Sequence, residues 1–118
     1  MNVSSKRIYD ATGHNDGTRV LVDRVWPRGL AKDDAELDEW IKGVAPSTEL
    51  RKWYAHDPEK FTEFAQRYRS ELGTEQGQEA VHQLQAAVTG KRLTLLTATK
   101  DLEHSHLVVL AELLRSSS

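Results

Sequence analysis

The chain has 118 residues, no cysteine, 16 Lys plus Arg against 18 Asp plus Glu, and a formal net charge of −2. That length suits one domain with one core, built without metal or disulfide staples, and the lack of cysteine excludes disulfide frameworks, thiolate metal sites and thiol nucleophiles. The near-balanced charge argues against nucleic acid or an anionic membrane as a partner. The opening residues Met1 to Lys6 lack the apolar core of a signal peptide, and no apolar run approaches the roughly 20 residues that span a bilayer. The expectation is a soluble, cytoplasmic protein.

Lys6 to Ala11 read as a short first strand, followed by a Gly13-His14-Asn15-Asp16-Gly17 loop whose Asp-Gly favours a turn. Thr18 to Trp26 read as the second strand. Its Val20, Leu21 and Val22 suit a pleat covered on both faces, Pro27 ends the ladder and Gly29 frees the backbone to turn. Over Lys32 to Val44, the positions of Leu37, Trp40, Ile41 and Val44 follow i, i+3, i+4, i+7 and predict a helix led by Asp33 and Asp34, broken at Ala45-Pro46. Ser47 caps a short helix carrying Leu50, Trp53 and Tyr54. Asp57-Pro58 then places a cap before a first-turn proline, opening a helix with Phe61, Phe64, Ala65, Tyr68 and Leu72 on one face. Gly73-Thr74 ends that helix and caps the next, in which Val81, Leu84 and Val88 face inward as far as Gly90.

Leu93 to Ala98 form a second apolar strand, and Leu102, His106, Val109, Leu110 and Leu113 mark the stripe of a last helix starting near Thr99 to Asp101. A helical stretch too long for a hairpin separates the two apolar strands, so they pair in parallel through a right-handed crossover. The short link after the first strand favours a hairpin or a shifted neighbour. The expected class is α/β: a small, mainly parallel three-stranded sheet packed by about five helices. Residues 1–118 form a single domain in this reading, with 115–118 as a frayed tail.

Parallel strands bring their carboxyl ends to one rim, the edge where open α/β sheets bind ligands. Asp23, Arg24, Trp26, Arg28 and Lys32 approach it from one side, and Thr97, Thr99, Lys100, Asp101, His104 and Ser105 from the other. The balance is cationic, the last helix offers unpaired N–H groups, and arginine supplies planar bidentate donors for carboxylate or phosphate. Candidate catalytic groups are His104, a general acid or base whose tautomer Asp101 or Asp23 would fix, and Asp23 itself. Candidate ligand-binding residues are Arg24, Arg28, Trp26, Lys100, Asp101, Trp53 and His56.

Against each stands a plainer role. Asp23 and Arg24 can simply close the rim, Trp26 can be core, Arg28 and Lys32 can be solvated, and Trp53 and His56 can staple two helices and end one of them. No cofactor is expected, because neither a dinucleotide fingerprint nor a P-loop is present. A metal is the alternative, held by His104 and His106 with an Asp or His56. Helical residues two apart diverge by about 200°, which disfavours it, and His106 on the apolar stripe reads as a buried histidine bonded to backbone. No Gly-x-Ser-x-Gly elbow activates Ser47, Ser105, Thr97 or Thr99 as nucleophiles.

Three segments carry a family resemblance: Arg19 to Gly29; Ala45-Pro46-Ser47 with Leu50 to Asp57; and Thr94-Leu95-Leu96 with Lys100 to His106. Together they resemble the bacterial domain of unknown function 488 family, YeaO-like branch, over nearly the whole chain. The matching residues are Asp23, Arg24, Trp26, Pro27, Arg28, Gly29, Ser47, Arg51, Trp53, His56, Lys100, Asp101, His104 and His106. Thr97 stands where members have tyrosine, and Ser105 where they have asparagine between the two histidines. Longer relatives carry cysteines near this junction, so any activity shared with this chain must rest on Arg, Asp, His and backbone groups.

The resemblance implies a small cytoplasmic α/β protein and brings no reaction, substrate or cofactor with it. The residues themselves favour binding of a small anionic or phosphorylated molecule at the strand ends, with acid/base catalysis by His104 or Asp23 as an extension. A metal-binding protein and a non-catalytic interaction module are the alternatives. A monomer is favoured over a homodimer, for which the Trp40 or Phe64 stripe would supply the interface.

Overall fold

The computed structural model describes residues 1–116. Four strands, β1 (Asn2–Arg7), β2 (Thr18–Leu21), β3 (Glu39–Trp40) and β4 (Arg92–Thr97), form one sheet in the order β1-β4-β2-β3. All three pairings are parallel, with Val20 opposite Leu95 and Leu21 opposite Leu96 between β2 and β4. Four α-helices accompany it: α1 (Thr48–Tyr54), α2 (Phe61–Leu72), α3 (Glu75–Ala87) and α4 (His106–Ser116).

The expected α/β class and parallel β2–β4 pairing hold, but the sheet has four strands rather than three and the described residues contain four α-helices rather than five. The first strand begins earlier than Lys6 and pairs with β4 in parallel, so of the two expectations for its short link the hairpin fails and the shifted position, one strand away from β2, holds. The tail expectation divides. Arg115 and Ser116 end α4, with the Arg115 guanidinium donating to the Val3 carbonyl at 2.7 Å, while Ser117 and Ser118 lie outside the described residues.

The largest correction falls on residues 32–44, where a helix is replaced by two 3-10 turns, Lys32–Asp34 and Lys42–Val44, flanking β3. Pairing with the edge of β2 satisfies this backbone instead: the Asp38 N–H donates to Arg19 O at 2.8 Å and the Ile41 N–H to Leu21 O at 3.0 Å. Gly43, unfavourable inside a helix, removes a further reason for one. A helix would put Leu37, Trp40, Ile41 and Val44 on one side. In the extended chain, Leu37 and Trp40 join Ile8, Leu21 and Leu96 on one face of the sheet, while Ile41 and Val44 join Val20, Val22, Leu93 and Leu95 on the other.

Alternation along β2 and β4 accounts for this division, since successive side chains leave opposite faces. The larger core takes Leu50 and Tyr54 from α1, Phe64 and Tyr68 from α2, Leu84 from α3 and Leu107 and Leu110 from α4. The helix starts follow their side chains: the Ser47 hydroxyl accepts the Leu50 N–H, Asp57 accepts the Glu59 N–H and Thr74 accepts the Gly77 N–H, each at 3.1 Å. Gly77 also lets α3 approach the end of α2, because a Cβ there would fall 2.7 Å from the Leu72 Cα. Leu113 departs from the expected stripe and is exposed.

The second face is polar beyond its apolar cluster. Buried Arg19 and Asp16 form an ion pair there, with Lys6 Nζ 2.8 Å from the other Asp16 oxygen. The Lys6 hydrogen bond, aided by the Gly13 N–H and Arg19, outweighs burial and lowers the Asp16 carboxyl from 3.8 to about 2. A depressed carboxyl stabilises the fold above its ordinary value, and that contribution disappears as pH falls through about 2. Asp16→Asn is therefore expected to cost about 1.5–3 kcal/mol at pH 7. The gap to wild type should close as urea unfolding is repeated toward pH 2.

Candidate functional site

Four parallel strands place their carboxyl ends together, and the chain leaving β2 meets the chain leaving β4 through one carboxylate. Asp23 accepts the Thr97 hydroxyl at 2.7 Å on Oδ1 and the Ala98 N–H at 2.8 Å on Oδ2. His106, the first residue of α4, has its Nε2 3.0 Å from the Val22 carbonyl and 3.4 Å from Asp23 Oδ1. A carbonyl only accepts, so this nitrogen carries the proton. Burial pushes the Asp23 carboxyl up, but His106, the Ala98 N–H and the Thr97 hydroxyl together outweigh it and hold Asp23 below the ordinary carboxylate value.

Arg24 reaches back across the rim, donating from Nε to Pro46 O at 3.0 Å and from Nη2 to Ala45 O at 2.9 Å. The buried Tyr68 hydroxyl secures the same loop through the Val44 carbonyl, and burial raises that phenol far above its usual value. Trp26 donates its indole N–H to Leu30 O at 2.6 Å and meets Trp40 edge-on at 5.2 Å, while the Trp40 indole donates to Asp23 O at 2.7 Å. Arg28 is exposed beyond Pro27.

On the opposite wall, α1 delivers Arg51 and Tyr54 and is followed by His56. The Tyr54 hydroxyl donates to His104 O at 2.6 Å, and His104 Nδ1 pairs with Asp101 Oδ2 at 2.8 Å. α4 does not begin near residues 99–101 as expected. A 3-10 turn, Leu102–His104, comes first, and Ser105 starts the helix by accepting the Leu107 N–H on its hydroxyl at 3.2 Å. The Thr99 N–H is taken up by the Thr97 hydroxyl at 3.1 Å.

These walls enclose a cleft of about 310 Å³. Among the candidates, it gathers Asp23, Arg24, Trp26, Arg28, His56 and His104, together with Thr99, Ser105 and His106. Lys100, Asp101 and Trp53 lie outside its lining. Lys100 and Asp101 are exposed, with Asp101 reaching the cleft only through His104. Trp53 packs against the core on the far side of α1, with the Arg67 guanidinium 4.3 Å and Lys60 Nζ 5.2 Å from its ring.

The candidate list lacked Arg51 and the Tyr54–Phe64 wall. Arg51 entered only through the family resemblance, with no role given to it, yet its spacing of three from Tyr54 sets both on one side of α1. A larger groove of about 480 Å³ between α2, α3 and α4 is lined by Leu72, Val81 and Val109 and holds one arginine, Arg69. That arginine is paired with Glu112 at 3.4 Å, whereas the smaller cleft gathers several basic side chains around one acid. Among the described residues, no group of three or more His, Asp or Glu side chains is placed to hold a metal ion, and no helix is long and apolar enough to cross a membrane.

Residues 2–118 match the family profile described as the inactive DUF488-N3 subclade. The chain belongs to this DUF488 family. It is similar to the uncharacterized protein Rv3073c of Mycobacterium tuberculosis (strain ATCC 25618 / H37Rv), 47% identical over 108 residues covering 92% of this chain and 89% of the relative. It is also similar to the uncharacterized protein YeaO of Escherichia coli (strain K12), 42% identical over 116 residues covering 98% of this chain and 99% of the relative. No solved structure shows significant similarity to it. This DUF488 chain thus has relatives of nearly its own length, and the YeaO-like resemblance of its motifs stands.

Two rim substitutions test how much this junction contributes to the fold. Asp23→Asn turns one carboxylate acceptor into a donor facing Thr97 or Ala98, and Arg24→Ala frees two carbonyls. Each is expected to cost about 1.5–3 kcal/mol in urea unfolding at pH 7. The Asp23 contribution is present above the ordinary carboxylate value and fades as pH drops below it, since the folded carboxyl is depressed.

Proposed function

We propose that this protein binds a small anionic or phosphorylated molecule in the cleft at the strand ends, without turning it over. One observation carries the reading: Arg24, Arg28 and Arg51 open with His56, His104 and His106 on one 310 Å³ cleft whose lining contains a single acid, Asp23. Both oxygens of that acid already accept hydrogen bonds, so Arg28 and Arg51 keep an excess of donors for a ligand. Arg28 and Arg51 are exposed, and no intramolecular bond occupies their guanidinium groups among the described residues. The fork geometry of arginine suits phosphate or carboxylate. Tyr54, Phe64 and Trp26 add an apolar wall for the body that carries the charge.

Binding rather than catalysis is supported by the state of Asp23, one of the two candidate acid/base groups. Asp23 is consumed in closing the rim, which leaves no carboxylate of the cleft lining free to exchange a proton with a ligand. The description of the subclade as inactive accords with this.

Titration with inorganic phosphate, followed by amide NMR, is expected to shift residues 23–28 and 98–106 and leave α3 unmoved. Arg28→Ala and Arg51→Ala should each weaken phosphate binding about tenfold or more while changing the melting temperature by less than about 2 °C. Unperturbed rim amides at saturating phosphate would sink the proposal.

A further inference from the structure

The connection leaving α1 places two consecutive non-glycine residues in the left-handed region, Ala55 at φ 47° and His56 at φ 59°. Left-handed backbone presses Cβ against a carbonyl oxygen, so glycine is the residue that suits such positions. The neighbours explain why the turn is so tight. The Ala55 N–H closes α1 on Arg51 O at 3.0 Å, and the Asp57 N–H reaches Tyr54 O at 3.0 Å. Asp57 precedes proline and stays extended, at φ −92° and ψ 104°, where it caps the 3-10 turn Pro58–Lys60. The chain therefore reverses within Ala55 and His56 alone.

The imidazole does nothing visible for this turn. His56 is exposed, and among the described residues its side chain makes no hydrogen bond, ion pair or ring contact. Its side chain borders the cleft across from Arg24 and Arg28. Local strain of this kind clusters at ligand-binding positions, and the cleft is what this side chain borders.

We propose that His56 is a ligand-contacting residue of the cleft, donating to the anionic group of the bound molecule, and that the left-handed Ala55-His56 turn is the strained device that aims it. This rests on the anion-binding reading and adds to it a fixed donor on the α1 wall. Rigid presentation on a two-residue turn limits the ordering that binding would otherwise require.

The test compares His56→Gly, His56→Ala and Ala55→Gly with wild type, using inorganic phosphate as probe and melting temperature as a second readout. His56→Gly is expected to weaken phosphate binding at least fivefold while raising the melting temperature by about 2–5 °C, because glycine relieves the strain. His56→Ala should lose the same affinity with the melting temperature within about 2 °C, since the strain persists. Ala55→Gly should raise the melting temperature and keep affinity within twofold. A merely structural histidine cannot lower affinity and raise stability together. Phosphate affinity that survives in both His56 variants but falls in Arg28→Ala overturns this inference and leaves the anion site standing. A lowered melting temperature in His56→Gly refutes the strain argument, and a wild-type protein that binds no phosphate refutes both readings.

Discussion

The Asp23 carboxylate is the interaction on which the rest of the rim depends. It joins the end of β2 to the end of β4 through Thr97 and Ala98, and it stands beside His106 where α4 begins. Three elements that are remote in sequence are thereby held at one point. Because the bonds go to a charged acceptor in a half-buried setting, they are stronger than neutral ones and leave little freedom to the segments they join. His106 completes the arrangement by donating to Val22 O, which orients the ring against Tyr68 at 6.0 Å. The cleft walls inherit their positions from this junction.

Electrostatics then divides the arginines by role. Arg24 is bound to two carbonyls and acts as a clamp on the 45–46 loop, while Arg28 and Arg51 remain in solvent, where their mutual repulsion is screened and inexpensive. The three arginines need no acidic partner in the fold, which leaves a local excess of positive charge on a chain of net charge −2. Near-neutrality of the whole molecule and a strongly cationic cleft are compatible, because the field in a cleft is set by its own walls.

Strands β2 and β4 were legible because their apolar, β-branched or leucine-rich runs admit cover on both faces, and Ser47, Asp57 and Thr74 marked helix starts through short-range capping. The rim residues Asp23, Arg24, Trp26, Arg28 and His104 were legible from the same strands, since parallel ends must share an edge. The helix expected over residues 32–44 failed for a physical reason: a spacing of three and four residues is also met by an extended segment with turns, and only the unpaired edge of β2 decides between them. Arg51 and Tyr54 were named only as a motif match and as an apolar residue of α1, because a helix this short does not show by spacing which side meets the rim. Trp53 was assigned to the site because sequence places it three residues from His56, although α1 turns it the other way.

By itself, the sequence determined the α/β class, the parallel pairing of the two apolar strands and the capped helix starts, because these follow from periodicity, chain length and local hydrogen bonds. Tertiary structure alone decided that β1 lies beside β4, that residues 39–40 add a fourth strand, and that Arg51 joins Arg28 and His56 in lining one cleft. Those outcomes depend on which backbone edge and which apolar face remain uncovered once β2 and β4 have paired, a quantity defined only by the assembled sheet.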